Sequence, residues 1–242
     1  MKPNARHVLE APVIEDLKWF RAVLLHKDRF NKIPVSQFID IATPAVHVYM
    51  DASNSGLCVL EPQRQEFLRL RFTTDEVMAL QTDHYTNSIN VRELQSAVLA
   101  VLVWGSRWQL DYQSKPTHVC LHIDNTSAVS WVSRRQSRHP TAQLYNRLLS
   151  LAELQYQLVL SAEHIPGRLN TMADAGSRAW TDTDPLWDLW TNLSSSWKQV
   201  EVTTPFDDLS AVWERYSVVM PWPKLQTANT EATGRSGGDF PK

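Results

Sequence analysis

The segment between residues 90 and 164 alternates between helical and extended periodicity, and this alternation restricts the fold more than any other feature. HVCLHID, residues 118–124, alternates apolar and polar side chains as a strand does, and QLVLSAEH, residues 157–164, is a second strand. Between them, one helix begins at Asn125 or Thr126 and another spans residues 140–156. A long helix from Asn90 precedes them, with an apolar stripe of Leu94, Ala97, Val98, Val101, Trp104 and Trp108.

Further strands are predicted upstream of this segment. Val46–Asp51 is the first, and GLCVLEP and EFLRLRF form a hairpin that turns at residues 62–65. Strands followed by alternating helices and strands are typical of a mixed sheet covered by helices, so the expected fold class is α/β. Residues 73–87 are polar, show no clear periodicity and receive no assignment.

Composition excludes some classes of function. The formal net charge is −2, so contact with nucleic acid must come from local basic patches rather than from the whole chain. No apolar run approaches about 18 residues, which argues against a membrane span. The two cysteines, Cys58 and Cys120, show no metal-ligand spacing and are typical of a reducing compartment. We therefore expect an intracellular protein, cytoplasmic or nuclear, with no membrane partner.

The character of the sequence changes three times along the chain. We expect a helical connecting segment at 1–43, an α/β domain at 44–180, a tryptophan-rich helical extension at 181–223 and a disordered tail at 224–242. The first segment carries Ile14, Leu17, Phe20 and Leu24 at helical spacing. The tryptophans of the extension are expected to pack back onto the sheet, and the alternative is a docking face for another domain.

Carboxylates follow two of the predicted strands. Asp51 ends one and Asp124 ends another, so the two lie side by side if these strands are parallel neighbours. Glu93 in the first turn of the long helix and Asp174 after Pro166 add two more. Converging carboxylates repel one another unless cations neutralise them, and hard oxygen ligands suit Mg²⁺ or Mn²⁺. Two such ions about 4 Å apart hydrolyse phosphodiesters by activating a water and stabilising the leaving oxygen.

Each of these residues also has an ordinary structural interpretation. Asp51 is suited to initiating a turn, and Asp124 to capping the helix that follows it. Glu93 has the spacing of a capping-box residue at the start of its helix. His164 fits a surface loop and Asp174 a solvated helix face. The joint order of all five residues along the chain is what favours a functional site.

The motifs YMDAS, INVREL, HIDNTSAV and HIPGRLNTMADAGSR occur here in the order found in ribonuclease H domains of retroelement reverse transcriptases. The last motif is the most specific and resembles the signature of retrotransposon ribonucleases H, of gypsy type and above all of the tyrosine-recombinase, or DIRS, type. The resemblance covers about residues 44–180. It implies a five-stranded ribonuclease H-like sheet, with strands one and four adjacent and parallel.

The resemblance also implies a role for each candidate residue in cleaving the RNA strand of an RNA/DNA hybrid. Asp51 would bridge two metal ions, Glu93 and Asp124 would hold the ion near the attacking water, and Asp174 the ion on the leaving side. His164, on a mobile loop, would assist proton transfer or product release. The alternative is a catalytically silent module of the same fold that binds nucleic acid or a protein partner.

This chain departs from the family pattern at several points, among them the absence of a second glycine near Cys58 and a longer segment at 73–87. Gly176 stands where the pattern usually has leucine, which weakens the last helix by up to about 1 kcal/mol. No Tyr-x-Asp-Asp polymerase motif occurs, so a reverse transcriptase polymerase domain is a possible partner rather than part of this chain.

Recognition of a hybrid relies on phosphate and 2′-hydroxyl contacts, so basic residues near the site are candidates for binding nucleic acid. The candidates are Arg134, Arg135, Arg138 and, beside the acidic residues, Arg168, with a solvated helix end as the alternative for the first three. His139 belongs to the same basic stretch. Arg69 and Arg71 alternate along a strand and are expected to form its exposed face.

Overall fold

A computed structural model describes residues 8–25, 43–82, 88–111, 116–203 and 206–217. Its centre is a mixed sheet of six strands in the spatial order β5-β4-β1-β2-β3-β6. The strands are β1 (Val46–Ala52), β2 (Gly56–Glu61), β3 (Glu66–Arg71), β4 (Thr117–Ile123), β5 (Leu158–His164) and β6 (Lys198–Gln199). The predicted α/β class, with a mixed sheet flanked by helices, is therefore confirmed, whereas the predicted number of strands was five.

The sheet is mixed: β1, β2 and β3 pair antiparallel, whereas the β1–β4, β4–β5 and β3–β6 pairs are parallel. β1, β2 and β3 form an antiparallel meander, and β4 and β5 run parallel to β1. The expected parallel pairing of the first and fourth strands is present, with Val46 opposite Val119 and Met50 opposite Ile123. This register brings the carboxyl ends of β1 and β4 to the same edge of the sheet.

Eight α-helices lie among the described residues. They are α1 (Ala11–Leu25), α2 (Thr74–Thr82), α3 (Ile89–Asp111), α4 (Thr126–Arg134), α5 (Pro140–Tyr156), α6 (Thr171–Arg178), α7 (Trp187–Ser194) and α8 (Leu209–Tyr216). No described helix is long and apolar enough to cross a membrane.

Helix α3 is the central element of the main core. All six residues of its predicted apolar stripe are at most 1% exposed, and the helix packs against β1 and α5. Trp104, at the helix centre, donates a hydrogen bond from Nε1 to Glu66 Oε2 at 2.8 Å. This bond satisfies a buried indole N–H, so the long helix is held to β3 as well as to the strands beneath it.

Helix α1 forms where the periodicity predicts a helix, but its apolar stripe does not face the core. Ile14, Leu17, Phe20 and Leu24 are 41–63% exposed, whereas Ala22 and Val23 are buried. Arg147 of α5 fixes this orientation, because its guanidinium donates to Asp16 Oδ1 at 2.7 and 3.0 Å. Apolar residues occupy two faces of this helix, and periodicity alone does not identify the face that is buried.

The unassigned segment after β3 contains a helix. Thr73 and Glu76 form a capping box at the start of α2: Glu76 N donates to Thr73 Oγ1 at 3.2 Å, and Thr73 N donates to Glu76 Oε2 at 2.9 Å. The Thr-x-x-Glu spacing was the signal that could have predicted this helix. Residues 83–87 and the tail predicted to be disordered, residues 224–242, lie outside the described residues.

The tryptophan-rich extension packs onto the sheet, as predicted, and also adds β6 to it. Trp190 of α7 is 4% exposed and meets the Phe67 ring edge-on, with the ring centroids 4.9 Å apart. Lys198 N donates to Gln65 O at 2.8 Å, and Val200 N donates to Phe67 O at 2.7 Å. The two-residue strand β6 follows from these backbone hydrogen bonds, so no side-chain periodicity could indicate it.

The prediction that Arg69 forms an exposed strand face is wrong. Its guanidinium lies between two indole rings, 4.1 Å from the centroid of Trp180 and 4.4 Å from that of Trp190. It also donates from Nε to Gly176 O at 2.7 Å and from Nη2 to Ala179 O. Arg69 therefore satisfies carbonyls at the end of α6 and joins that helix to β3, while Arg71 is exposed as expected.

Gly176 allows α6 to pack closely on β2. A Cβ at this position would contact Cys58 Sγ and would lie 2.7 Å from Trp190 Cζ3. The expected weakening of the helix by glycine is therefore accompanied by a packing role that only glycine can fill.

The Gly176→Ala variant is expected to be less stable than wild type by about 1–3 kcal/mol, because the overpacking cost exceeds the helix-propensity gain of up to about 1 kcal/mol. Urea unfolding followed by circular dichroism measures the difference. Thr171→Ala, at an exposed position of the same helix, is the control and should change stability by less than about 0.5 kcal/mol. A Gly176→Ala protein more stable than wild type would contradict the packing role.

Candidate functional site

Two carboxylates lie side by side at the carboxyl ends of β1 and β4. Asp51 follows Met50 and Asp124 follows Ile123, and Met50 and Ile123 are register partners in the parallel pair. Asp51 is only 3% exposed, whereas the Asp124 side chain is 31% exposed. Adjacent strands lie about 4.8 Å apart, so the parallel pairing places the two carboxylates close together.

Glu93 reaches this edge from the first turns of α3. It is 3% exposed, and its Oε1 accepts a hydrogen bond from Ala52 N at 3.1 Å. The capping-box interpretation does not describe it, because the carboxylate accepts from β1 rather than from its own helix. Its second oxygen, Oε2, is buried and has no hydrogen-bond partner. A buried carboxylate oxygen without a partner is costly, and either a proton or a cation would relieve that cost.

Asp174 is placed at the same edge by α6. Asn170, just before the helix, donates from Nδ2 to Met50 O at 2.8 Å, and Ser177 donates from Oγ to Asp51 Oδ2 at 2.5 Å. These two bonds fix the helix against β1. Arg178 Nε donates to Asp174 Oδ1 at 2.6 Å, so Asp174 has a cationic partner on its own helix.

His164 is the last residue of β5, beside Asp124, and not part of a loop as the resemblance implied. Its Nε2 lies 3.6 Å from Asp124 Oδ1, and its side chain is 43% exposed. The turn that follows is held by a hydrogen bond from Ile165 N to Ile123 O at 3.1 Å. Gly167 comes so close to Asp124 that a Cβ there would lie 2.6 Å from Oδ2. The turn therefore closes over Asp124 and leaves the imidazole accessible to solvent.

The structure thus brings all five predicted catalytic residues to one edge of the sheet. We call four of them the acidic cluster: Asp51, Glu93, Asp124 and Asp174.

Burial and mutual repulsion disfavour negative charge in the acidic cluster. Burial raises the pKa of Asp51 to about 6; Asp174 and Asp124 act in the same direction, and Ser177 and Arg178 oppose them. The pKa of Glu93 lies well above its usual range, first because of burial and then because of the charge on Asp51. Without a cation, the cluster therefore favours protonation at its two buried members.

The acidic cluster fits hard divalent cations in charge and in ligand type. It offers carboxylate oxygens alone, one of them buried without a partner. Its oxygens do not form a closed ligand set, however. Among the residues that the structure describes, the one group of three potential ligands within 4.8 Å of one another is His47, Cys120 and His122, away from the acidic cluster.

The predicted nucleic-acid-binding residues divide into two groups. Arg134, Arg138 and Arg168 are exposed. Arg135 is committed to an internal contact, because it donates from Nε and Nη2 to the Glu153 carboxylate at 2.9 and 2.6 Å. His139 is buried and caps α5 by accepting from Ala142 N at 3.3 Å. Arg135 and His139 therefore have structural roles, and the exposed arginines remain candidates for binding.

Four supporting residues escaped the sequence analysis as site residues. Ser177 lies one helical turn after Asp174, so the spacing of three residues could have indicated it. Arg178 pairs with Asp174 one turn earlier in the same helix. Asn170 donates to Met50 O, and Asn125, which caps α4, also donates to Asn90 Oδ1 at 2.7 Å. The contacts of Ser177, Asn170 and Asn125 join elements distant in sequence, and spacing does not reveal them.

Comparisons with known proteins identify no relative: no protein-family model, no curated protein and no solved structure matches the chain.

Proposed function

We propose that this protein is a metal-dependent endonuclease that hydrolyses the RNA strand of RNA/DNA hybrids, and that its sheet is a ribonuclease H-like sheet. The observation that carries the proposal is the meeting of four carboxylates from two parallel strands and two helices at one edge of the sheet. The order of the motifs along the chain supports the same function, through their resemblance to retroelement ribonucleases H.

Asp51, Glu93, Asp124 and Asp174 would hold two divalent ions, Mg²⁺ or Mn²⁺. When bound, such ions activate a water and neutralise charge on the scissile phosphate and the leaving oxygen. The chain's own residues prepare the site for them. Ser177 fixes the Asp51 carboxylate, and the backbone N–H of Ala52 fixes that of Glu93. Arg178 limits the repulsion between Asp51 and Asp174.

His164 is suited to moving a proton at the open side of the site. Its imidazole is exposed, lies 3.6 Å from Asp124 and is carried by the last residue of β5, just before a turn. Solvent can partly replace an exposed group in this role, so His164 assists the reaction and the carboxylates are indispensable to it.

Exposed arginines would hold the phosphates of the hybrid. Arg134 and Arg138 lie at the end of α4 and just beyond it, and Arg168 follows the turn after His164. A polymerase domain, attached or separate, would add further contacts, as the resemblance implies.

Replacing Arg134 or Arg138 with alanine is expected to weaken binding to hybrids of any sequence and to lower the slope of log K against log salt by about 1 for each lost phosphate contact. Fluorescence anisotropy with a labelled hybrid in EDTA, over a series of salt concentrations, measures both quantities. Lys198→Ala is the matched control, because Lys198 is exposed on β6 at the opposite edge of the sheet. Equal losses in all three variants would contradict a local binding surface.

The test of the proposed function is cleavage of an end-labelled RNA strand by the wild-type chain. The strand is presented in an RNA/DNA hybrid, in duplex RNA and alone, each with Mg²⁺, Mn²⁺ or EDTA. Internal cuts in the hybrid alone, dependent on the metal, would support the proposal. A folded protein that binds the hybrid without cutting it would favour a catalytically silent module. The open arrangement of the acidic cluster is the observation that keeps this second function in consideration.

A further inference from the structure

A second group of polar side chains lies on the face of the sheet to which Asp51 points, nearer the middle of β1 and β4. His47, Cys120 and His122 offer ligand atoms that all lie within 4.8 Å of one another. His47 and Cys120 are register partners, and His122 is opposite Tyr49, so the group joins two neighbouring strands. Cys120 is buried and the imidazoles partly cover it, with His47 accessible to solvent.

The two imidazoles face each other through the nitrogens that would bind the ion. His47 Nδ1 and His122 Nε2 share a hydrogen bond of 2.9 Å, and the His122 ring is stacked on Tyr49 with centroids separated by 4.5 Å. Two imidazole ligands of one tetrahedral ion are about 3.3 Å apart, as follows from metal–nitrogen distances of about 2.0–2.1 Å. A shift of the accessible His47 ring by a few tenths of an ångström would reach this separation, and the ion would replace the hydrogen bond.

A carboxylate of β5 lies near the second ring nitrogen of His122. His122 Nδ1 is 4.0 Å from Glu163 Oε2, which is longer than a hydrogen bond, and the Glu163 side chain is exposed. A carboxylate that accepts from a ligating histidine orients the ring and strengthens it as a donor, and a small movement of Glu163 would bring it into this position. Binding a metal at Cys120 would release the thiol proton, because the thiolate is the ligand.

We propose that His47, Cys120 and His122 form a binding site for a borderline divalent cation of the Zn²⁺ class, with solvent at the fourth position. Two imidazoles and a thiolate select such an ion over Mg²⁺, which prefers oxygen ligands. The site would fasten β1 to β4 shortly before Asp51 and Asp124. It involves no residue of the acidic cluster and does not depend on the proposed nuclease function.

The test is titration of the full chain with Co²⁺, a spectroscopic substitute for Zn²⁺, in excess Mg²⁺, which competes with Co²⁺ for carboxylates but not for a thiolate. We expect one equivalent to give a thiolate-to-cobalt charge-transfer band in the near ultraviolet and tetrahedral bands in the visible. Zn²⁺ should abolish both by displacement. Cys120→Ser should remove the charge-transfer band and weaken Zn²⁺ binding by at least about 100-fold, and His122→Gln should weaken it by about 10- to 100-fold.

His118→Gln is the matched control, since His118 lies on the same strand and face but outside the group, and its Zn²⁺ affinity should stay within about threefold of wild type. Circular dichroism of each variant establishes that it is folded. No charge-transfer band in wild type, or the same band in folded Cys120→Ser, would overturn the proposal. Equal weakening in His118→Gln and His122→Gln would also overturn it.

Discussion

The Asp51→Asn variant is expected to lose hybrid cleavage and, without metal, to be more stable than wild type above pH 6. The variant keeps the shape of the side chain and an oxygen that can accept the Ser177 hydrogen bond, but it removes a buried negative charge. A pKa raised from 3.8 to about 6 corresponds to about 3 kcal/mol of stability lost by the ionised wild type. We expect a gain of about 1–3 kcal/mol.

The pH dependence of this gain has a definite sign. Below pH 3.8, Asp51 is protonated in the folded and the unfolded chain, so wild type and variant differ little. As the pH rises from 3.8 to about 6, the unfolded carboxyl ionises before the folded one, and wild type loses stability relative to the variant. Above about pH 6 the difference is constant. Urea unfolding in EDTA at several pH values between 4 and 8 measures it.

Adding Mg²⁺ should reverse the order of stability. Wild type should gain stability with increasing Mg²⁺ because the folded chain binds the ion, whereas Asp51→Asn should gain much less. Asp188→Asn, at an exposed position of α7, is the matched control and should follow wild type in both conditions. If Asp51→Asn is less stable than wild type at pH 8 in EDTA, the ionised carboxylate stabilises the fold, and the expected destabilisation by its buried charge is contradicted.

The Asp124→Asn variant is expected to reduce hybrid cleavage by on the order of 10³-fold or more, and His164→Ala by about 10- to 100-fold. Asp124 would supply a metal ligand worth several kcal/mol in the transition state, and each 1.36 kcal/mol corresponds to a factor of ten in rate. His164 is exposed, so solvent can replace part of its role in moving a proton. Single-turnover cleavage of an end-labelled hybrid in Mg²⁺ measures both losses.

The comparison between these two variants is the informative part of the experiment. Asp188→Asn should cleave at the wild-type rate, and anisotropy should show that Asp124→Asn still binds the hybrid. If the cleavage rate falls equally in Asp124→Asn and His164→Ala, the proposed difference between the two residues is contradicted. Asp124 would then not be the metal ligand and His164 not merely an assisting group. Unchanged cleavage in Asp124→Asn would remove Asp124 from the site.

The parts of the fold that were predictable from sequence are those with long, regular periodicity. The stripe from Leu94 to Trp108 identified α3 as a buried helix, although every residue from Val91 to Gly105 is buried rather than one face, and the alternation in HVCLHID identified β4. The carboxylates at Asp51 and Asp124 could be located because each directly follows the apolar residues of its strand. Whether the two carboxylates lie close together then depended only on whether their strands pair in parallel, and β1 and β4 do so.

Features that depend on contacts between distant segments were not predictable in this way. In the sequence, Arg69 has the pattern of an exposed strand residue. Its guanidinium is covered by Trp180 and Trp190, which lie more than a hundred positions later in the chain. The pair of His47 and Cys120 arises from the register of β1 against β4, and the two cysteines showed no ligand spacing because the other candidate ligands near Cys120 are histidines. Helix α1 was predicted from its periodicity, but which of its faces is buried depends on contacts with α5 and α8, among them Arg147 with Asp16 and Trp213 with Glu15.

The short pairing of β6 with β3 determines where the chain can be cut. A protein truncated after residue 180, at the end of the predicted α/β domain, would leave the backbone of Glu66 and Phe67 open along the outer strand. Unpaired strands of this kind recruit other chains by strand addition and promote aggregation. The truncation would also remove Trp190 from the guanidinium of Arg69. The smallest soluble unit for expression should therefore extend beyond Val200.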